Sequence, residues 1–224
     1  WGNSGNVHGV DVGQVSVEVD AGRSSGQLAV SGNYRGEGDS AIGLLRQSPI
    51  YPLASVVLDD LQLAGPIDGQ LDLKLDIRAP LQNPQIGVTT EFSGVRVGSG
   101  ILSLAIDDVT GGLDYDFEEG FASRDLHGMF FDQALTAIIG KGESGLQPSK
   151  LFDARFSSRV SGQNLMAWGT TLAGGAASDA ALLSGETELE VAISVAEVAH
   201  VEVGSSLEGL AIGLPAPYGK KPAD

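Results

Sequence analysis

The residues best suited to chemistry stand apart from one another. His8, His127 and His200 are the only histidines of the chain, and none has a second histidine or a cysteine at metal-ligand spacing. Cysteine is absent, which removes thiolate nucleophiles, thiolate metal sites and disulfides together and leaves the redox compartment open. Three acidic pairs, Asp59-Asp60, Asp107-Asp108 and Glu118-Glu119, have the residue type for general acid–base work or calcium binding. The nearest approach to a calcium loop is Asp114, Asp116 and Glu118, but Glu119 stands where the sharp turn of such a loop needs glycine. Asp114 and Asp116 instead flank Tyr115 with the spacing of a strand's solvent face. Gly22-Arg23-Ser24-Ser25-Gly26 has the spacing of a nucleophile elbow, yet it joins two predicted strands, whereas an elbow leads into a helix. No phosphate-cradling P-loop and no strand-to-helix Gly-x-Gly-x-x-Gly turn appears. The expectation is a protein that is not an enzyme, with no catalytic residues, no metal and no cofactor.

What remains must come from the elements that carry these side chains. The chain has 224 residues, enough to bury a sizeable core. It holds 32 glycines, about twice the usual share of roughly 7%, with 42% apolar and only 6% aromatic residues, a mixture suited to many strands joined by tight turns. The formal charge of −16 argues against nucleic acid, whose binding depends on lysine and arginine releasing counterions, and disfavours anionic membrane surfaces. The sequence starts at Trp1 with no basic or apolar leader, so any targeting or anchoring segment is expected outside it, in a longer protein. No apolar run approaches the roughly 18 residues of a membrane helix, so the segment itself is expected to be soluble.

Strict alternation is the clearest pattern. Ile67, Gly69, Leu71, Leu73, Leu75 and Ile77 interleave with Asp68, Gln70, Asp72, Lys74 and Asp76, which predicts a strand with one dry face. The same period recurs at Val15, Val17 and Val19, at Phe152, Ala154 and Phe156, and at Leu189, Val191, Ile193 and Val195; weaker copies run over 28–34 and 86–92. One-sided patterning belongs to antiparallel sheets. Gly111-Gly112 predicts a hairpin between strands at 102–109 and 113–117, and Glu118-Glu119-Gly120 a turn before a strand at 121–131. The apolar parity flips between Val203 and Leu210, which predicts a bulge or turn at 204–206.

Two short helices are predicted. Asp39 or Ser40 is expected to cap one through Ala41, Ile42, Leu44 and Leu45, with Pro49 ending it; Gln163 or Asn164 is expected to open another through Leu165, Met166, Trp168 and Leu172. The stretch 173–181 reads as a loop rather than a continuation of that helix. Both helices are too short to cover sheets of this extent. The whole of 1–224 is expected to form one unit, with a weak division near 140–150. Alternation alone leaves two readings of the apolar face, a sandwich-like core or an open trough.

Leu207-Glu208-Gly209-Leu210-Ala211-Ile212-Gly213-Leu214-Pro215-Ala216-Pro217-Tyr218-Gly219-Lys220 resembles a signature of the YhdP-type, AsmA-like bacterial envelope proteins, in which a strand ends in Leu-Pro-Ala-Pro ahead of a lysine. The run Leu44-Leu45-Arg46-Gln47-Ser48-Pro49-Ile50, the strand 65–75, the stretch 109–116 and Gly185-Glu186-Thr187 are similar to the same family. This resemblance implies a mainly β fold: a large antiparallel, strongly curved sheet, an open groove or sandwich-like roll, with two short helices. It implies one internal length of a periplasmic protein, anchored in the inner membrane of a Gram-negative bacterium and passing phospholipid between inner and outer membranes. The partners would be phospholipid acyl chains and neighbouring segments of the same chain, with membrane contact only through parts outside this segment. On that reading the groove is lined by Leu71, Leu73, Leu75, Ile77, Phe152, Phe156, Leu189, Val191, Ile193 and Val195. A closed structural or protein-binding module of the envelope is the alternative.

Overall fold

The computed structural model describes residues 5–21, 26–47, 51, 55, 58–78, 84–141, 152–175, 182–195, 199–215 and 219–221. Among the described residues, alternating apolar residues produce thirteen strands of one antiparallel sheet. They are β1 (Gly5–Val7), β2 (Val10–Ala21), β3 (Gly26–Glu37), β4 (Leu61–Ala64), β5 (Pro66–Asp76), β6 (Gln85–Ser99) and β7 (Leu104–Asp116), followed by β8 (Gly120–Phe130), β9 (Gln133–Lys141), β10 (Phe152–Ser161), β11 (Leu183–Val195), β12 (Ala199–Gly204) and β13 (Leu210–Ile212). Each strand pairs with its neighbours in the order β1-β2-β3-β5-β6-β7-β8-β9-β10-β11-β12; β4 prolongs the line of β5 along β6, and β13 prolongs that of β12 along β11. The predicted break falls where expected, because β12 stops at Gly204 and β13 resumes at Leu210. Ser205 fills the gap: its hydroxyl lies 2.9 Å from that of Thr187 and donates to the Glu188 carbonyl at 2.8 Å.

Gly111-Gly112 does not form the expected hairpin. Both glycines lie inside β7, which runs unbroken from Leu104 to Asp116. Gly111 has a φ of +114°, and a Cβ there would strike the Asp125 carbonyl oxygen on β8, so glycine serves close strand approach at an irregular register rather than chain reversal. The real reversal comes later, at Phe117 to Glu119, where Asp116 Oδ1 accepts from the backbone of Glu118 at 2.8 Å and Glu119 at 2.9 Å.

Both helix starts also differ from expectation. Helix α1 (Gly38–Arg46) begins after Glu37, with no side-chain cap, because the Gly38 N–H already donates to the Gly65 carbonyl at 2.9 Å. Asp39 instead accepts from the next backbone N–H, that of Ser40. Helix α2 (Gly162–Leu172) is capped by Ser161, whose hydroxyl accepts from Asn164 N at 3.2 Å, and it ends at Leu172. Tyr51, Ser55 and Leu58 carry helical backbone that the periodicity did not suggest. Pro49, the stretches 22–25 and 176–181, all of the weak division expected near 140–150 except Gly140 and Lys141, and Ala216 to Tyr218 lie outside the described residues.

Because strand direction alternates, β3 and β10 finish at the same end of the sheet, and both helices emerge there. Trp168 of α2 stacks edge-on against Phe130, centroids 5.6 Å apart, and its indole N–H donates to the Leu102 carbonyl at 3.0 Å. An eleven-residue helix spans about 16 Å, so α2 reaches back across several strand ends. The core follows from this placement: Val95, Val160, Phe130, Leu135 and Leu189 are buried toward the helix end.

The architecture is repeated within the chain. In the first unit β3 leads through α1 into β4 and β5, which are joined at Gly65 (φ +118°) opposite Gly94 on β6. In the second, β10 leads through α2 into β11, kinked at Gly185 (φ +95°) opposite Gly209 ahead of β13. A Cβ on Gly38 would lie 2.8 Å from Leu63 Cβ; one on Gly162 would lie 2.8 Å from Leu183 Cβ. After β13 the chain returns at Lys220, which bridges Ile212, as β7 returns along β6.

Candidate functional site

The candidate site is the apolar face of this single sheet. Register places Val17, Val30, Leu73 and Ile86 in one row across β2, β3, β5 and β6. Leu71 lies opposite Val88, Val88 opposite Tyr115, and Tyr115 opposite Phe121. The Tyr115 and Phe121 rings are 4.8 Å apart, and Phe121 meets Phe152 edge-on at 5.8 Å. Phe152 pairs with Val195, Phe156 with Val191 and Ala154 with Ile193. The two groups of predicted lining residues, on β5 and on β10–β11, therefore share one continuous face. Tyr115 and Phe121 are the link that the sequence reading left out, although Tyr115 stands between Asp114 and Asp116 with the parity of an inward residue.

Cover over that face is uneven. Phe156, Leu189, Val191 and Val195 are buried, the first three within the core. Leu71, Leu73, Leu75, Phe152 and Ile193 are half-buried. Beyond the end of β5, Ile77 is 51% exposed, and at the same end of β2 Val19 is 59% exposed. Apolar side chains are thus most covered along β10 and β11, Val195 at the far end included, and most open along β2 and at the end of β5, with the described helices at one end of the strands.

The opposite face is polar. Arg124 bridges β6 and β7 there, its guanidinium 2.8 Å from Asp114 and 2.7 Å from Glu91. Those hydrogen bonds push its pKa upward from an already high value. Asp59, Asp60 and Asp107 each have a local task. Asp60 accepts from Ser99, from Gly100 N at 2.9 Å and from Ile101 N at 3.0 Å, clamping the turn between β6 and β7. Asp59 receives the Tyr51 hydroxyl at 2.9 Å, and Asp107 pairs with Arg96 at 3.3 Å. His8 lies in the β1–β2 turn, His127 on β8 and His200 on β12, where it is 3.4 Å from Glu202. Among the described residues no group of three or more His, Asp or Glu side chains is arranged to hold a metal ion, and no helix is long and apolar enough to cross a membrane.

Tyr34 places a polar group on the same face. Its hydroxyl lies 2.6 Å from Thr90 Oγ1 and donates to the Thr89 carbonyl at 3.0 Å. Burial raises its pKa, Thr90 opposes that shift, and the nearby Asp68 charge adds to it.

The family model described as YhdP protein matches residues 1–224, the full length of the chain. No curated protein and no solved structure matches. On the strength of that full-length match, the chain belongs to the YhdP family.

Proposed function

We propose that the chain is a length of an envelope-spanning phospholipid transfer protein, whose apolar sheet face shields acyl chains in transit between the inner and outer membranes. The observation that carries this reading is the continuous apolar face, overlaid among the described residues by two short helices at one end only. Family membership supports the same reading. The physics makes such a surface useful: at about 0.8 kcal/mol per methylene, exposing some thirty methylenes of two acyl chains to water costs on the order of 20 kcal/mol or more. A dry surface that lowers this cost at every step needs no tight site and no catalytic residue.

In this proposal the open part of the face, at Val19, Leu75 and Ile77, receives the acyl chains, and the covered part around α2, β10 and β11 supplies stability. Neighbouring segments of the parent protein pair with the outer strands, and membrane contact is made outside this segment, which works in the periplasm without metal, cofactor or nucleic acid. A second reading, a closed brace of the envelope, is favoured by one observation, the burial of Phe156, Leu189 and Val191 within the core. Mass spectrometry of lipid extracted from the purified chain, followed by titration of the delipidated protein with a fluorescent fatty acid, separates the two. Saturable binding by folded protein is expected; folded protein that takes up no probe favours the brace.

A further inference from the structure

Of the three tyrosines among the described residues, Tyr115 alone leaves its hydroxyl without a hydrogen-bonding partner in the chain. Tyr34 donates to the Thr89 carbonyl at 3.0 Å, and the Tyr51 hydroxyl donates to Asp59 at 2.9 Å. Tyr115 is half-buried, and its hydroxyl is not sealed from solvent, because no buried side-chain nitrogen or oxygen among the described residues lacks a partner.

The setting of this phenol is otherwise apolar. Register puts Val88 of β6 on one side of Tyr115 and Phe121 of β8 on the other, all on the apolar face. Its ring lies 4.8 Å from that of Phe121, which meets Phe152 edge-on at 5.8 Å. Tyr115 is the penultimate residue of β7, Phe121 the second of β8 and Phe152 the first of β10, so the three rings stand at the strand ends away from both helices. Tyrosine suits such a margin, where an apolar body stays dry and a polar tip stays wet. Burial and the charge of Asp116 push the pKa of Tyr115 upward, so at neutral pH the group is a hydrogen-bond donor. The charge of Asp116, in a chain of net charge −16, also disfavours a second anion at the same place.

We propose that Tyr115 is the residue that fixes the polar end of a bound acyl chain, its hydroxyl donating to an uncharged ester carbonyl while the first methylenes lie over Val88, Phe121 and Phe152. The contact presupposes the acyl-chain surface proposed above and gives it a preferred chemical end. Apolar burial is non-directional and does not choose where along the face a chain stops; a single donor at the margin does. An alkane brings no acceptor to the hydroxyl. A free carboxylate accepts the same proton but brings its charge beside Asp116.

The test is titration of the delipidated chain with three pyrene-labelled probes of equal chain length, a methyl ester, a free fatty acid and an alkane, at a pH where the acid is ionised. The ester is expected to bind most tightly. Tyr115→Phe, which keeps the ring against Phe121, is expected to weaken ester binding roughly two- to tenfold, the worth of one neutral hydrogen bond, and to leave alkane binding unchanged. Circular dichroism checks that the variant is folded, and the infrared carbonyl band of the bound ester is expected at lower frequency in the parent than in the variant. Equal weakening of all three probes would assign the effect to ring packing and overturn the contact. So would an acid bound more tightly than the ester, or an ester whose affinity and carbonyl band Tyr115→Phe leaves unchanged; in both cases the acyl-chain surface itself stands. A folded parent chain that takes up none of the three probes removes the surface, and the contact with it.

Discussion

Tyr34 reaches Thr90 across an intervening strand, hydroxyl to Oγ1 at 2.6 Å, because the residue between them on β5 is Gly69. A Cβ on Gly69 would lie 2.6 Å from the Tyr34 hydroxyl oxygen and strike the Thr89 carbonyl. The tyrosine thus covers a glycine and ties β3 to β6 directly. Gly69→Ala is expected to lower stability by about 1–3 kcal/mol, the usual effect of overpacking, read as a lower urea midpoint. An unchanged midpoint would show that the ring moves aside freely.

Titration of the same side chain sets a pH dependence. Burial raises the pKa of Tyr34 and of Tyr115, so the folded chain holds these phenolic protons to higher pH than the unfolded chain does. Their contribution to stability is complete below the unfolded value of about 10. It falls as pH rises through the higher folded values, because the unfolded state then binds fewer protons. Urea midpoints measured upward from about pH 8 are expected to drop most steeply above about pH 10, and Tyr34→Phe should make that drop shallower. A variant with the parent's slope would remove Tyr34 from the account.

Trp168 offers a test of the cover at the helix end. Its indole N–H bonds to Leu102 and its ring packs on Phe130. Trp168→Phe keeps an aromatic ring but leaves the Leu102 carbonyl without this donor, an expected loss of about 1–3 kcal/mol. Trp168→Ala removes the packing as well, with about 3–5 kcal/mol expected. Equal losses would mean that the indole hydrogen bond, not ring packing, accounts for the contribution of Trp168.

Much of this fold is legible in the residues. Alternation places Leu71, Leu73 and Leu75 on one face and Asp72 and Lys74 on the other without reference to any other strand. It does not say what lies over that face. Leu73 and Val191 read alike in sequence, yet one is half-buried and the other belongs to the core cluster with Phe156, Leu189 and Trp168. Gly111-Gly112 reads as a hairpin because a glycine needed for positive φ inside a strand has the same local chemistry as one in a turn. The repeat escaped notice because its helices share little beyond their first glycine, Gly38-Asp39-Ser40-Ala41 against Gly162-Gln163-Asn164-Leu165. Its signal was the spacing Leu63-Ala64-Gly65 and Leu183-Ser184-Gly185, which marks the kinked strands.

That difference in cover yields the sharpest test of the proposed role. Val191 is 2% exposed, so Val191→Asp places an unpaired carboxylate in the core, where desolvation costs several kcal/mol; the chain is expected to unfold, and lost transfer would then say nothing about a groove. Leu73 is half-buried and Val19 is 59% exposed. Leu73→Asp and Val19→Asp are therefore expected to leave a folded protein, checked by circular dichroism, that takes up less fluorescent fatty acid and supports weaker lipid transfer when placed in the parent protein. Isosteric Leu73→Met should retain both properties. If folded Leu73→Asp protein binds the probe and transfers lipid as well as the parent, acyl chains do not pass over β5, and the apolar face is a core awaiting its neighbours rather than a path.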